Sequence, residues 1–490
     1  MWAAPCSSVC PTGGYFHSSP ASGILGCPRP NRNRSPPIRS HLARPSDPRS
    51  AAAALLSFIF PGAGQAYNGQ WTLASLLAVP VLVVVGLALL VAALGGSSAL
   101  SRLLDGRVLF ALIVLDVTLL GWRLIAILHA HAERSRFTFR DWPSWLTAGL
   151  VILTIAMHAL PAYYAMKAID TIGSVSLEGG GSLGGRHGRQ IEVAAPSFQP
   201  DLGIGERVTV LLVGIDFAPG RDEHLTDTML VATLDPKTGD SAMISVPRDL
   251  YGVPLDDGRV YNAKLNSLLA SATADPATYP EGGPATLKGA IGKLLGTTIH
   301  YFAAIDIEGM RQVIDAIGGV EVTVERTIDD PRYTDTLTGA QGFYLEAGDQ
   351  LLDGHAALGY ARSRLGAGEN DFTRAGRQQV LLTAIAEKLT AGNLLMTLPG
   401  LLDAARDNVA TDIPSDRIPD LAAEIQDADL QSIDQIVLTP PEYVVVEASS
   451  EAGYVLHPIF DAITQLARRI FDNSAAQAGQ SPSSGPSLSP

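Results

Sequence analysis

Four arginines fall within sixteen residues of this chain, and their spacing is its most informative chemical feature. The planar guanidinium fork binds phosphate oxygens in bidentate geometry, so closely spaced arginines are typical of anion sites. Arg362 and Arg364 stand two residues apart, and in an extended segment they would point to the same face. The sequence therefore predicts a binding site for a phosphate-like anion around this pair.

A second pair of arginines follows a predicted helix start. Asp371 is expected to cap a helix over residues 372–388, which places Arg374 and Arg377 one turn apart on one side. The spacing also fits ordinary surface salt bridges, which contribute little to stability. In that interpretation the partners are Asp371, Glu369 and Glu387.

Three further polar residues stand at the ends of predicted strands. Asp216 ends the strand 208–215, Asp227 precedes the strand 228–234, and Arg248 follows the strand 241–246. Adjacent strands could bring all three to one edge of a sheet. Two carboxylates near arginines could hold Mg²⁺, which uses few protein carboxylates and completes its shell with phosphate and water. Each residue alone also fits a turn cap or an ordinary loop.

Composition limits the class of protein. The chain has 490 residues, 47% of them hydrophobic, and a formal net charge of −14. The length predicts more than one structural unit, and the acidic balance argues against nucleic acid as a partner. The cysteines all precede the first hydrophobic segment, so the C-terminal region cannot form an internal disulfide: Cys6, Cys10 and Cys27.

The N-terminal third predicts a membrane module. Residues 1–50 are rich in Arg and Pro, lack the apolar core of a signal peptide, and are predicted to be disordered. Within residues 51–166, three apolar segments approach the roughly 20 residues that a membrane-spanning helix needs: 71–94, 108–128 and 145–165. The second contains Asp116 and Arg123, which are expected to pair with each other or with another span in a structural role.

Basic residues predict the orientation of this module. The N-terminal segment and the loop after the second span are richer in arginine than the loop after the first. The positive-inside rule places them in the cytoplasm, so three crossings put the rest of the chain outside the cell membrane. An external domain has no ready supply of ATP, so its substrate must carry an activated bond.

The external part is predicted to be an α/β (α+β) domain. A Gly-rich linker over residues 167–205 leads into it, the domain covers 206–473, and residues 474–490 are predicted to be disordered. Strand and helix patterns are mixed without strict βαβ alternation, which favours a mostly antiparallel central sheet flanked by helices. A short helix over residues 351–358 is expected to lead into the extended Arg362/Arg364 segment.

Read in order, these residues resemble the LytR-CpsA-Psr family of cell-wall glycopolymer transferases. The likeness covers roughly residues 207–388, more loosely to 471. It depends on the combination of these motifs: Val213-Gly-Ile-Asp216, Thr226-Asp227-Thr228, Ser245-Val-Pro-Arg248-Asp249, Lys264-Leu-Asn266, Ile317-Gly-Gly-Val320, Asp353-Gly-x-x-Ala-Leu358-x-Tyr360-x-Arg362-x-Arg364 and Asp371-x-x-Arg374-x-x-Arg377-Gln378.

The resemblance implies an enzyme that moves a glycopolymer from a polyprenyl-pyrophosphate carrier to a hydroxyl of peptidoglycan or another wall acceptor. It implies that Asp216 and Asp227 bind Mg²⁺ or Mn²⁺, that Asp371 orients the arginines, and that the lipid enters an apolar tunnel. Asp227 could also help to deprotonate the acceptor. The residues implied to hold the pyrophosphate are Arg248, Arg362, Arg364, Arg374 and Arg377. Those implied to be catalytic are Asp227, Arg248, Arg362, Arg364 and Asp371.

Two features depart from the family pattern. Leu225 stands where an arginine often precedes the Thr-Asp-Thr motif, so either Arg221 or His224 substitutes for that arginine or one phosphate contact is lost. The three predicted spans exceed the single anchor that many members have.

The implied site residues would also suit a pyrophosphatase acting on the same lipid, or a non-catalytic lipid-binding regulator of envelope biogenesis.

Overall fold

The computed structural model describes residues 47–101, 105–175, 181–183, 191–193, 202, 205–216, 225–390 and 394–472. The predicted disordered ends lie outside the described residues, apart from residues 47–50. There the prediction is wrong, because Asp47 caps a helix that begins at Pro48. Residues Arg221 and His224 also lie outside the described residues, so the structure does not test either as a substitute for the missing arginine.

Five helices form the described part of the N-terminal module, and three of them are long and apolar enough to cross a membrane. These three are α3, α4 and α5, as the sequence predicts. Two shorter helices precede them and pack against α4. The bounds are α1 (Pro48–Ile59), α2 (Ala63–Tyr67), α3 (Trp71–Ser101), α4 (Gly106–Ala132) and α5 (Trp142–Val175).

Polar contacts join these helices to one another. Asp116 on α4 lies 2.7 Å from Nδ1 of His158 on α5, so it pairs with another helix rather than with Arg123. Arg123 donates instead to the carbonyl of Phe58 on α1, at 3.1 Å. Gly64 permits the close approach of α1 and α2, since a Cβ there would lie 2.1 Å from the carbonyl oxygen of Ala53. Asp116 therefore pairs with another span as expected, whereas Arg123 contacts the shorter helix α1.

The third long helix extends further than predicted. Residues 167–175, assigned from sequence to the linker, continue α5 without a break. Ile169 and Ile172 of this extension pack in one apolar cluster with Leu398 and Leu402 of a later helix. The helix continues because this tertiary contact buries its apolar face, which local composition does not reveal.

The remainder of the chain is an α/β domain. Its strands are β1 (Gly181–Leu183), β2 (Ile191–Val193), β3 (Val208–Asp216), β4 (Leu225–Leu234), β5 (Ser241–Ser245), β6 (Tyr251–Pro254), β7 (Val260–Lys264), β8 (Tyr301–Asp306), β9 (Val320–Val324), β10 (Ile328–Thr334), β11 (Gln341–Leu345), β12 (Gly348–Leu352), β13 (Val409–Thr411), β14 (Asp434–Val437), β15 (Val444–Ser450) and β16 (Gly453–Pro458). Its helices are α6 (Leu268–Ala274), α7 (Gly282–Leu295), α8 (Ile307–Ala316), α9 (Gly354–Arg362), α10 (Asp371–Thr390), α11 (Leu394–Asn408), α12 (Ile418–Asp427) and α13 (Phe460–Ala467). Short helical turns cover Leu265–Ser267, Leu430–Ser432 and Arg468–Asp472.

A six-stranded sheet forms the centre of the domain, in the order β13-β8-β3-β4-β5-β14. Three of its five neighbouring pairs are antiparallel, while β3–β8 and β5–β14 are parallel. One apolar core joins the sheet to α6, α7 and α13. A second core lies among α8, α9, α10 and the β9–β12 pair. The predicted fold class, an α/β domain with a mostly antiparallel central sheet flanked by helices, is confirmed.

The segment before Arg362 differs from the prediction. Residues 351 and 352 end β12, which pairs with β9, and the helix begins only at Gly354. Asp353 caps it, accepting a hydrogen bond of 2.8 Å from the backbone N–H of Ala356. The helix then continues to Arg362, so this arginine ends a helix and does not lie in an extended segment with Arg364.

Candidate active site

A bulge in the central sheet determines where Asp227 points. Gly214 of β3 pairs with Thr228, and Ile215 pairs with Thr226, which leaves Asp227 as the extra residue between them. Bulges next to functional sites commonly redirect a side chain. Arg248, just beyond the neighbouring β5, lies 2.6 Å from the Asp227 carboxylate through Nη1. Adjacent strands therefore bring these two residues together, as the sequence predicts.

Asp371 is the centre of a cluster of arginines. Its Oδ1 atom lies 3.0 Å from Nη2 of Arg374 and 3.3 Å from Nη1 of Arg364. The same oxygen lies 3.5 Å from Nη2 of Arg248. Burial alone would raise the pKa of Asp371, but the three guanidinium charges outweigh burial and hold it below its ordinary value. One carboxylate thus orients arginines from three separate segments.

Asn370, and not Asp371, caps helix α10. The Oδ1 atom of Asn370 accepts hydrogen bonds of 2.9 Å from the backbone N–H groups of Phe372 and Thr373. The capping role predicted for Asp371 is therefore wrong. Because Asn370 caps the helix, the carboxylate of Asp371 is available to the arginines.

The arginines remain incompletely satisfied by these carboxylates. Arg374 is only 7% exposed, and its Nε atom, like that of Arg248, is buried without a hydrogen-bond acceptor. Burial and the nearby charge of Arg248 lower the pKa of Arg374 to about 10, so it stays cationic at neutral pH. Buried donors of this kind favour an additional anion.

A cavity of about 590 Å³ opens beside the cluster. Five arginines and three aspartates line it, which leaves a formal excess of two positive charges. The rest of the lining is largely apolar and includes Ile305, Ile307, Met310, Val313, Leu358, Leu381, Leu382, Ile385 and Val409.

The lining changes character along helix α10. Arg374 and Gln378 face the cavity first, followed by Leu381, Leu382 and Ile385. At a rise of 1.5 Å per residue, Arg374 and Ile385 lie about 16 Å apart along the helix axis. The cavity thus suits a ligand with an anionic head and an apolar extension.

Not every predicted arginine reaches this cavity. Arg362 lines it, and its Nη1 donates a 2.9 Å hydrogen bond to Thr336. Arg377 does not line it and instead lies 2.9 Å from the buried carboxylate of Glu369, with its guanidinium over the Tyr360 ring. Helix α10 turns Arg377 toward the loop before the helix, so this arginine lies outside the lining of the cavity. Like Arg374, it has buried donors without an acceptor, its Nε and Nη1 atoms.

Two residues of the cavity were not predicted from the sequence. Arg332 on β10 lines the cavity, and the buried Asp330 holds the loop that carries Arg364. The carboxylate of Asp330 accepts hydrogen bonds from the Ser363 hydroxyl at 2.8 Å and the Arg364 backbone N–H at 3.1 Å. Its Asp-Pro-Arg context has no chemical signature, and only the packing of the β10–β11 hairpin reveals the role.

The donor set for a metal is small. Asp216 ends β3 with its backbone paired to Leu225, two residues before Asp227, while its side chain lies outside the described parts. Among the described residues, no group of three or more His, Cys, Asp or Glu side chains could hold a metal ion. The partly exposed carboxylate of Asp227, which lines the cavity beside the arginines, nevertheless fits Mg²⁺, which would complete its shell with phosphate oxygens and water.

The sequence of this chain is similar to one protein family and to several known proteins. Residues 187–459 match the model of the LytR_cpsA_psr family. The polyisoprenyl-teichoic acid–peptidoglycan teichoic acid transferase TagU of Bacillus mycoides is 29% identical over 231 residues, which are 47% of this chain and 68% of that protein. The corresponding transferase TagV of Bacillus subtilis is 28% identical over 206 residues, or 42% of this chain and 49% of that protein.

Solved structures with a similar arrangement include TagV of B. subtilis, at 24% identity and a TM-score of 0.43, covering 55% of this chain and 98% of that one. TagT bound to LIIa-WTA is 21% identical with a TM-score of 0.43, covering 56% of this chain and 93% of that one.

Proposed function

The chain belongs to the LytR-CpsA-Psr family, and on this basis we propose that it is a membrane-anchored glycopolymer transferase. Its donor is a glycopolymer carried on polyprenyl pyrophosphate, and its acceptor is a hydroxyl of peptidoglycan or another wall polymer. The observation that carries the proposal is the cavity, whose lining changes from clustered arginines to apolar side chains along α10.

The reaction is a phosphoryl transfer, which depends mainly on positioning and charge neutralisation. The acceptor oxygen forms a bond to the phosphorus that carries the glycan. The bond from that phosphorus to the bridging oxygen breaks, and polyprenyl phosphate leaves with that oxygen. We assign the acceptor proton to Asp227, the partly exposed carboxylate at the cavity mouth.

The arginines supply the positive charge that the pyrophosphate needs. Arg248, Arg364 and Arg374 converge on Asp371, and Arg362 and Arg332 line the same cavity. These groups hold the pyrophosphate oxygens and stabilise the negative charge that develops on the leaving phosphate. The geometry gives no comparable role to Arg377.

Mg²⁺ fits this proposal as a cation that the protein and the pyrophosphate would bind together. Asp227 would hold it, together with Asp216 at the end of the neighbouring strand. When bound, it supplies further neutralisation of the pyrophosphate oxygens. Chelation with EDTA is therefore expected to abolish transfer, added Mg²⁺ to restore it, and binding of polyprenyl monophosphate to persist.

The membrane helices support a lipid substrate. The extension of α5 carries Lys167, which pairs with Asp403 of α11, and Arg406 of α11 lies 2.9 Å from Asp170. Helix α11 in turn contacts α8, which lines the apolar part of the cavity. We propose that the lipid enters the cavity from this side and that the domain lies outside the cytoplasm.

The test uses the full chain in lipid nanodiscs with a polyprenyl-pyrophosphate glycopolymer and uncross-linked glycan strands. Covalent attachment of glycopolymer to the strands is the expected result, and Asp227→Ala should lose it while keeping lipid binding. Donor cleavage without attachment, even with acceptor present, would instead identify a pyrophosphatase. Tight lipid binding without cleavage would identify a lipid-binding regulator.

A further inference from the structure

A second, smaller cleft adjoins the arginine cluster. It has a volume of about 30 Å³, which suits a single hydroxymethyl group better than a sugar ring. Five residues line both this cleft and the large cavity: Asp227, Thr228, Arg248, Arg374 and Gln378. The two spaces therefore meet at the residues that are proposed to hold the reacting phosphate.

The outer wall of the cleft belongs to a different part of the fold. Tyr454 and Leu456 of β16 line it, together with Asp249, Phe372 and Val437. Hairpin β15–β16 is anchored beside the cleft by the backbone N–H of Leu456, which donates to the Asp249 carbonyl at 3.0 Å. Tyr454 is 40% exposed, so one part of its side chain faces solvent and another faces the cleft.

Asp249 and Asp371 line the same cleft as Tyr454. Burial first, and then the charges of Asp249 and Asp371, raise the pKa of this tyrosine. Asp249 accepts a 2.9 Å hydrogen bond from Lys264, and its other oxygen is 3.6 Å from Nε of Arg248, beyond hydrogen-bond distance. An exposed aromatic ring beside a carboxylate oxygen of this kind is suited to a saccharide, whose ring stacks on the aromatic face while its hydroxyls donate to the carboxylate.

The direction of phosphoryl transfer connects this wall to the reaction. Attacking and leaving oxygens lie roughly in line on opposite sides of the phosphorus. If the lipid phosphate departs into the large cavity, the acceptor must approach from the other side of the residues shared by the two spaces. Within the part of the chain that the structure describes, the small cleft adjoins these residues and lies outside the large cavity.

We propose that the cleft admits the acceptor hydroxyl and that Tyr454 on hairpin β15–β16 binds the acceptor saccharide that carries it. This inference rests on the proposed transferase function and assigns its second substrate to a surface outside the lipid cavity. Tyr454 acts by binding the acceptor and does not contact the donor lipid.

The test compares Tyr454→Ala and Tyr454→Phe with wild type, using the full chain in nanodiscs and uncross-linked glycan strands as the probe. The Ala variant is expected to raise the acceptor KM about tenfold, the upper range for an aromatic contact. The Phe variant keeps the ring and should stay within about twofold. Donor Kd and kcat at saturating acceptor should be unchanged in both.

Tyr344→Ala provides a matched control, because Tyr344 is an exposed tyrosine on hairpin β10–β11 that lines neither space. An unchanged acceptor KM in Tyr454→Ala, or a parallel loss of donor affinity, would overturn the inference.

Direct binding of the glycan strands separates this inference from the proposed function. If wild type transfers nothing but binds the strands, and Tyr454→Ala weakens that binding, the transferase proposal fails and the saccharide site stands. If wild type and Tyr454→Ala bind the strands equally, or neither binds them, the saccharide site is rejected.

Discussion

At the scale of single residues, the division of labour among the arginines is decided by their carboxylate partners. Asp371 holds Arg374 at the cavity through contacts shared with two other arginines, whereas Glu369 holds Arg377 away from it. Glu369 is only 3% exposed, so Arg377 neutralises a buried charge. Two arginines on one helical turn therefore have different carboxylate partners.

Substituting these two arginines should separate affinity from stability. Arg374→Ala is expected to weaken binding of polyprenyl pyrophosphate by about 10- to 150-fold, the equivalent of about 1.5–3 kcal/mol for a charged hydrogen bond. Arg377→Ala should instead lower Tm, because it removes a partner from Glu369, and leave donor affinity nearly intact. Lipid-binding titrations and thermal unfolding measure the two effects, and an equal affinity loss in both variants would contradict the assignment.

Asp330 provides a second test at this scale, through pH. Burial would raise its pKa, but hydrogen bonds from the loop at residues 363–365 outweigh burial and lower it. A carboxyl with a lowered folded-state pKa stabilises the protein at pH values above its ordinary value of 3.8, and this contribution is lost as the pH falls through the folded-state pKa.

Asp330→Ala should therefore lower Tm at neutral pH. The substitution leaves hydrogen-bond donors of the loop without an acceptor, which costs about 1–3 kcal/mol. The variant's Tm should also fall less than that of wild type on acidification below about pH 4. Donor affinity should decrease too, because the loop carries Arg364. Parallel Tm profiles for variant and wild type would show that Asp330 makes no pH-dependent contribution.

At the scale of elements, the contact between α5 and α11 joins the membrane module to the cavity wall. Leu402 is 7% exposed and lies in one apolar cluster with Ala168, Ile169 and Ile172 of α5. Helix α11 also meets α8 closely, since a Cβ on Gly400 would lie 2.8 Å from that of Ala316. The contact therefore positions the apolar part of the cavity relative to the membrane.

Leu402→Asp is expected to reduce transfer from a membrane-embedded donor by at least about tenfold, because burying an unpaired charge separates α11 from α5. Affinity for a short-chain donor in detergent should change by less than about twofold. Leu351→Asp, at an exposed leucine on β12, provides the control. If both donors are affected equally and Tm falls sharply, the contact serves stability alone.

At the scale of the whole molecule, the distribution of charge predicts an orientation that labelling can test. The native cysteines all precede α1, and Ser450 lies far along the chain at the end of β15. A membrane-impermeant maleimide added to intact cells is expected to label Ser450→Cys in a background where the native cysteines are serine. It should not label the native cysteines of the wild-type chain until the membrane is opened, and the reverse pattern would invert the predicted topology.

Local patterns in the sequence determined several of the elements and the chemical class of the site. Apolar runs predict β3 and β5 to within one residue of the bounds that the structure has, and apolar length predicts three long helices. These succeed because side-chain periodicity and hydropathy are properties of neighbouring residues. The order of the strands likewise brings Asp227 and Arg248 together, although Asp227 lies within β4 and not before it as predicted.

Tertiary structure alone decided which groups meet in the cavity. The bulge that redirects Asp227, the cap that Asn370 provides, and the choice of Arg332 over Arg377 all follow from how strands and helices pack. The helical extension of α5 likewise exists where α11 covers it. Spacing along the chain determines which face a side chain occupies, but the partner across that face comes from a distant segment, so the sequence by itself predicted an anion site and the fold assembled it.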